Sequence, residues 1–444
     1  MTAIAAVEQR AWRVLEFDAL RCVVAEFAAT EPGRRAARTL QPIRDRDALT
    51  HLHRETTELR TLHDAGLAPP FAGVEDIAAM VETLDQCRVP LEPDQLLMIG
   101  ATLRAIADLR AFAEAQREIA PTVCSRMLRC ATFTREQAEL ERCIDRDKTV
   151  ATHASPALND ARRRIRAIRA RLAERLRRMI DDPNLQRALE STTITERNGR
   201  PVLALKSNSR GAIVGTLWDR SNSGATLFVE PHAVSGLVNE LEDARYAETR
   251  EVERILWELT RMLAARQSEL DAALATLAAF DLACARARFS AAFAMHPPVL
   301  ADDAVLTLHD ARHPLLLYYV WHSLPNGPER LTAALAAVVP IAFHLGDDFD
   351  AVVVTGPNTG GKTVTLKTIG LLTLMAQCGL HVPAGPGSRV PVHRSVFADI
   401  GDEQSLQQSL STFSAHLTAI GDILRAAAPG DLVLLDEIGA GTDP

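Results

Sequence analysis

The sequence predicts a mixed fold: an all-α region, a pair of long helices bearing a small β-rich tip, and then an α/β phosphate-binding domain. Three observations carry that reading. Apolar residues recur at helical spacing through most of the first 190 residues. Between Thr192 and Val229 the pattern changes to short strands joined by turn residues. From about Val305 onward strand-like and helix-like runs alternate, and one of them feeds Gly356-Pro357-Asn358-Thr359-Gly360-Gly361-Lys362-Thr363.

Phe17, Leu20, Val23, Val24 and Phe27 share one helical face, and Glu31-Pro32-Gly33 reads as a stop. Further helical stretches run to about Cys130, broken near Ala68-Pro69-Pro70 and Val89-Pro90. Ala161 to Ile180 is a long basic helix. Ile165, Ile168, Leu172, Leu176 and Met179 form its stripe, and arginines stand at 162, 163, 164, 166, 169, 171, 175, 177 and 178. A second long helix, from about Ala233 to Leu263, carries Val234, Leu237, Leu241, Ala244, Val252, Ile255, Leu259 and Met262. Two such helices flanking a short insert predict an antiparallel coiled-coil arm. Its arginines either solvate the arm or meet phosphates, and the pattern leaves both open.

The insert predicts strands over Thr192–Glu196, Pro201–Lys206, Ile213–Asp219 and Thr226–Val229, with Asn198-Gly199 as a hairpin turn. Lys206, Arg210 and Arg220 stand among small polar residues there, which suits contact with a nucleic-acid backbone. Val320 to Ala337 has no clear period and reads as a loop with weak helix.

The chemistry concentrates at the C-terminal side. Ala351-Val352-Val353-Val354 predicts a buried strand that delivers the glycine-rich turn. Glycines let backbone N–H groups crowd round a polyphosphate, and a following helix adds its positive end. Lys362 then reaches the β- and γ-phosphates, and the Thr363 hydroxyl suits Mg²⁺. Leu432 to Leu435 predicts a second strand ending in Asp436 and Glu437, one carboxylate for the metal shell and one for the attacking water. The cofactors expected are ATP and Mg²⁺. The helix after the turn is expected to run to about Cys378 and to stop at Gly379.

Composition narrows the classes. Aromatic residues are 5% of the chain, which argues against reading single-stranded bases by stacking. The net charge of −8 confines any nucleic-acid contact to local basic patches. Seven scattered cysteines without a C-x-x-C pair fit a reducing, cytoplasmic setting. Glu8, Arg10 and Arg13 rule out a signal-peptide pattern at the N-terminus, and Pro340 interrupts the apolar stretch Leu331 to Phe343, so no membrane partner is expected. His309 and His313 have the spacing of a zinc pair, but Pro314 follows and no Glu completes a metalloprotease motif; a structural use is expected.

Thr355 to Lys367 resembles the Walker A segment of the MutS ATPases, and Asn358-Thr359 followed by Val364-Thr365-Leu366-Lys367 is similar to the MutS-two branch. Asp399 to Ser405 and Ser409 to Ser414 resemble that branch's mid-domain signature. Leu434 to Pro444 resembles its Walker B and dimer-facing loop, Ala311 to Leu315 its strand before the nucleotide domain, and Ser223 to Pro231 its clamp-to-lever junction. The resemblance covers nearly the whole chain. It implies a helical core (1–134), a first lever arm (135–190), a β-rich clamp (191–232), a second lever arm with its return to the core (233–300) and an ABC-type P-loop ATPase domain (301–444). It further implies a homodimer in which Ser411 completes the partner's ATP pocket in trans. The resemblance implies as its nucleic-acid target either ribosomal RNA in stalled or collided ribosomes, with ATP-driven splitting of their subunits, or branched DNA, where binding suppresses recombination.

Departures from the family pattern qualify this. Ile341 and Ala342 stand where polar residues are usual, and the segment from Val320 to Ala337 is longer than expected. The sequence stops at Pro444, before the strands, switch histidine, KOW and Smr nuclease domains that the family carries, so endonuclease activity is not expected of these residues. Phe112-Ala113-Glu114 imitates the mismatch-reading wedge of a mismatch-repair ATPase, but it sits in an Ala-rich helical run where Phe is expected in a core. The reading from another class is a non-enzymatic dimerisation or binding fragment.

Overall fold

The structure, a computed structural model, describes residues 3–197, 199–209, 211–301, 303–357, 361–401 and 409–437; for Ala3 and residues 409–415 it describes the backbone helix. The chain divides into two compact units. One comprises Met1–Ala79, Thr102–Thr132 and Ser268–Pro444, and the other Met80–Ala101 and Phe133–Gln267.

The second unit holds the two long helices, Pro156–Ile180 and His232–Ala264, which pack on one another. Ser155 caps the first by accepting from Leu158 N–H, and Pro156 fills its first position, so its start is set locally. Ile165, Ile168, Leu172 and Leu176 meet Val234, Val238, Leu241 and Ala244 in one buried cluster, as the stripes require. The tip is a four-stranded antiparallel sheet of β1 (Leu189–Arg197), β2 (Arg200–Lys206), β3 (Gly215–Arg220) and β4 (Thr226–Pro231), in the order β1-β2-β4-β3. Gly199, at φ +76°, makes the hairpin turn of β1 into β2, while Asn198 and Arg210 lie outside the described residues. Leu203, Leu205, Leu227 and Val229 close the sheet onto the helix pair.

The first unit is built around the helix Lys362–Gln377, whose residues from Thr368 onward are all buried. Around it stand the helices Ala3–Val14 and Phe17–Glu26, a sheet of β5 (Val299–Ala301), β8 (Arg389–Pro391), β6 (Leu306–Ala311) and β7 (Ile341–Leu345), and a parallel pair of β9 (Val396–Asp399) with β10 (Leu432–Leu435). Gly379 ends the central helix at φ +71° with the chain of Leu52 against it, as expected of a left-handed cap.

Three expectations are corrected here. Ala351 to Val354 forms no strand and is not buried: Val352, Val353 and Val354 are 42%, 85% and 39% exposed. Among the described residues no strand pairs with this segment, and an apolar run without ladder partners is not held as a strand. Glu31-Pro32-Gly33 starts a helix, Glu31–Arg38, with Thr30 as its cap; proline at the first turn suits a start as well as a stop. Val320 to Ala337 is largely helical, shared between Pro314–Ser323 and Arg330–Ala337, because its apolar side chains pack on two sides and so show no period. Phe112 is half-buried on the helix Pro93–Ala115.

The C-terminal end of the central helix is held by the helix Arg46–Asp64 and the residues just before it. His53 Nε2 lies 2.8 Å from the Ala376 carbonyl, Thr56 donates to Gly379 O, and Ile43 N–H donates to Gln377 O. His53 stacks on His381, whose Nδ1 and Nε2 face Ser290 Oγ and Thr57 Oγ1. Burial holds His53 down to about 4 and His381 down to about 3, so both rings are neutral in the folded chain. Their folded values lie below the unfolded value of 6.5. The stability they contribute is therefore fully present above that pH and is lost as pH falls toward 4, on the order of 3 kcal/mol per histidine. Glu55, pushed up by burial against the pull of Arg126, works in the opposite sense. A His53→Gln, His381→Asn double variant is expected to flatten the acid limb of urea midpoint against pH; a limb as steep as the parent's would show that other groups cause it.

All seven cysteines are free, five of them buried, and burial pushes the Cys124 and Cys143 thiols up to about 11. Among the described residues no helix is long and apolar enough to cross a membrane.

Candidate nucleotide site

The central helix begins where the glycine-rich turn ends. Gly361 caps it at φ +81° and Gly356 stands at φ +151°, both in backbone regions that favour glycine, and a Cβ at either position would meet nothing within 4 Å among the described residues. The described end of the turn thus meets a helix N-terminus, where backbone N–H groups are unpaired by the helix itself. Lys362 Nζ folds back to the Gly356 carbonyl at 3.0 Å. Pro357 is exposed beside it, and Asn358, Thr359 and Gly360 lie outside the described residues.

The second strand of the expected site is present. β10 runs parallel to β9 in the register Leu432↔Val396 to Leu435↔Asp399, with Leu432 and Leu434 buried. Asp436 follows at the strand tip, and its N–H donates to the Asp399 carbonyl at 3.0 Å. The decisive contact is between the two motifs: Thr363 Oγ1 donates to Asp436 Oδ2 at 2.6 Å. Residues 73 positions apart therefore present a hydroxyl and a carboxylate oxygen to the same point beside the cradle. Glu437 is exposed and sits at φ +48°, a left-handed turn that side-chain-bearing residues seldom adopt and that gathers at functional sites. Lys367, one turn further along the helix, pairs with Glu16 at 2.7 Å.

An oxygen pair of this kind suits a hard divalent cation, and a glycine-flanked helix N-terminus suits a polyphosphate, so the residues present fit Mg²⁺ with ATP. Ser411 lies in the first turn of the helix Ser409–Ala426, and its side chain is outside the described residues. The expected zinc pair is put to other use: His313 caps the helix Pro314–Ser323, with Nδ1 accepting from Leu316 N–H, and burial lowers it to about 4. A cavity of about 410 Å³ lined by Trp12, Arg44, Gln377 and Arg394 lies at the far end of the central helix, and no described residue of the glycine-rich turn lines it.

Sequence reasoning missed one polar cluster. Asp399, buried at the end of β9, binds His416 and Arg10. The only sequence signal was a histidine five residues after Ser411, and its partner becomes visible only through strand register.

Residues 352–444 match the family model described as MutS domain V. The chain is 40% identical, over 99% of its length, to Endonuclease MutS2 of Symbiobacterium thermophilum, of which it covers 53%. It is 41% identical over 98% of its length to Endonuclease MutS2 of a Geobacillus species, and 37% identical over 99% to Putative endonuclease MutS2 of Bacillus subtilis, covering 54% of each. The chain spans about half the length of the curated relatives it matches. A similarity that runs through both long helices, the β-rich tip and the nucleotide motifs in one order leaves a single assignment: the chain belongs to the MutS family, in its MutS2 branch.

Proposed function

We propose that this chain is the ATP-binding and ATP-hydrolysing part of a dimeric clamp that acts on nucleic acid. The observation that carries the proposal is the 2.6 Å bond between Thr363 and Asp436, which joins the phosphate turn to the carboxylate strand. Gly356 through Thr363 hold the polyphosphate, with Lys362 on the β- and γ-phosphates. Thr363 and Asp436 hold Mg²⁺, which when bound offsets the negative charge of those phosphates. Glu437 orients the attacking water and takes its proton. Ser411, at the start of its helix, serves the nucleotide of the other subunit.

The two long helices and the β-rich tip are proposed as lever and clamp, and ribosomal RNA as what they grip. Among the nine arginines of the first helix, Arg162 pairs with Glu248, Arg163 with Asp160, Arg171 with Glu240 and Arg178 with Glu174. Arg164, Arg166, Arg169, Arg175 and Arg177 are exposed and enter no ion pair among the described residues, which leaves them to meet phosphates. Such contacts read backbone and shape and not base sequence, as a structured RNA allows. The endonuclease in the relatives' names belongs to proteins about twice this long, and no residue assigned above performs it.

The test is a salt titration of binding to a ribosomal RNA fragment and to a four-way DNA junction, with and without Mg-ATP. The parent chain is expected to favour the RNA and to change affinity with Mg-ATP. Neutralising Arg166, Arg169 and Arg177 is expected to weaken binding and to flatten the logarithmic salt slope by roughly 0.7–0.9 for each phosphate that is no longer neutralised. Folding is expected to be nearly unchanged, since exposed charges contribute little. Preference for the junction would move the target to branched DNA. An unchanged slope would move the grip to the β-rich tip, and affinity indifferent to Mg-ATP would overturn the ATP-driven clamp.

A further inference from the structure

Asp399 holds three elements of the first unit at once. Its carbonyl accepts the Asp436 N–H at 3.0 Å, which ties it to the tip of β10. Its Oδ2 lies 2.9 Å from His416 Nδ1 on the helix Ser409–Ala426, and its Oδ1 lies 3.4 Å from Arg10 Nη2 on the helix Ala3–Val14. A carboxylate can only accept here, so Nδ1 carries the proton and Nε2 is turned the other way. The ring is bedded on the chain as it leaves β9: a Cβ on Gly401 would lie 2.6 Å from its Cε1 and 2.8 Å from its Nε2. No bulkier residue at 401 leaves the imidazole in that place.

The location gives the contact its meaning. Asp399 is register partner to Leu435, so the dyad stands one strand step, roughly 3.3 Å, behind the residue that bonds Thr363. His416 follows Ser411 by five residues, roughly 7.5 Å of helical rise. A single imidazole–carboxylate bond therefore joins the carboxylate strand of one subunit's own ATP site to the helix that bears Ser411.

We infer that His416 and Asp399 are positioning residues that set the Ser411 helix against the Asp436 strand tip, so that a subunit offers Ser411 to its partner's nucleotide in a fixed place. The inference rests on the dimeric ATPase proposed above. It adds a mechanical link between the site a subunit owns and the site it completes. Pure packing does not explain the arrangement, because a packing role has no need of a buried carboxylate with a histidine and an arginine on its two oxygens.

The test uses the full chain and separates the two ideas. His416→Ala is expected to lower single-turnover ATP hydrolysis by roughly 10²-fold, the cost of a misplacement of about 1 Å, with ATP affinity close to the parent's. His416→Asn, whose amide N–H falls where Nδ1–H was, is expected to restore most of the rate. A mixed dimer of one His416→Ala subunit and one Lys362→Ala subunit is expected to recover about half of the parent's turnover, because both lesions fall in one composite site and leave the other whole. No recovery in the mixed dimer would overturn the trans role, and loss of ATP affinity equal to the loss of rate would reduce His416 to a structural residue. Full turnover in the Lys362→Ala homodimer would instead defeat the nucleotide-site assignment, whatever His416 does.

Discussion

Lys362→Ala is expected to weaken ATP binding sharply and to leave the helical content of the chain where it was. The side chain starts at the first residue of the central helix and reaches back to the Gly356 carbonyl, well away from the buried half that begins at Thr368. Its removal deletes the cation proposed above for the phosphates, a charge-assisted contact of about 1.5–3 kcal/mol, so affinity is expected to fall roughly 10- to 100-fold. Glu437→Gln is the opposite case. The cradle and the Thr363–Asp436 oxygen pair stay intact, so ATP remains bound while hydrolysis slows by about 10²–10⁴-fold. Nucleotide titration beside circular dichroism reads the first variant, and single-turnover hydrolysis reads the second. Parent-like affinity in Lys362→Ala, or a parent-like rate in Glu437→Gln, would remove that residue from its role.

Asp281→Ala carries the largest expected loss of stability. Asp281 is fully buried, and it accepts from Ala29 N–H, Thr30 N–H and the Thr30 hydroxyl while facing Arg288 at 3.5 Å. Truncation leaves those donors without their acceptor and Arg288, which still donates to the Phe27 carbonyl, without its counter-charge, a cost of about 3–5 kcal/mol. Gly33→Ala strikes the same group from the other side, since its new Cβ would lie 2.1 Å from Asp281 Oδ2. The two effects are expected to be strongly non-additive, because either change alone displaces the carboxylate. Urea unfolding of the single and double variants measures this. A loss below about 1 kcal/mol in Asp281→Ala would mean that water replaces the carboxylate at that point.

The two long helices, the β-rich tip and the helix behind the glycine-rich turn were legible because each obeys a local rule. A repeating apolar stripe, an Asn-Gly hairpin turn and a glycine cap need no knowledge of distant residues. The failures share the opposite property. Val352 to Val354 has the composition of a strand, yet strand formation depends on neighbours, and none among the described residues pairs with it. Pro314–Ser323 hides its helix by being apolar nearly all round. At the candidate nucleotide site the glycines, Lys362, Thr363 and Asp436 follow from motif spacing, but the bond of Asp399 to His416 depends on the register of β9 on β10 and on where another helix lands.

The anchoring of the central helix by Ile43, His53 and Thr56 has a consequence for how the protein is made. Their partners Ala376, Gln377 and Gly379 lie 323 or more residues further along the chain. Leu15, Phe17 and Leu20 share a core with residues from Phe289 to Leu434. On a ribosome adding about 5–20 residues per second, these apolar faces wait roughly 15–60 s for their partners. The stretch Phe133–Gln267, by contrast, brings both long helices and the whole four-stranded sheet out in one piece, and can close as soon as it emerges. The order of synthesis thus makes the early helices clients for chaperones, and core mutations there should lower yield more than they lower the stability of the finished protein.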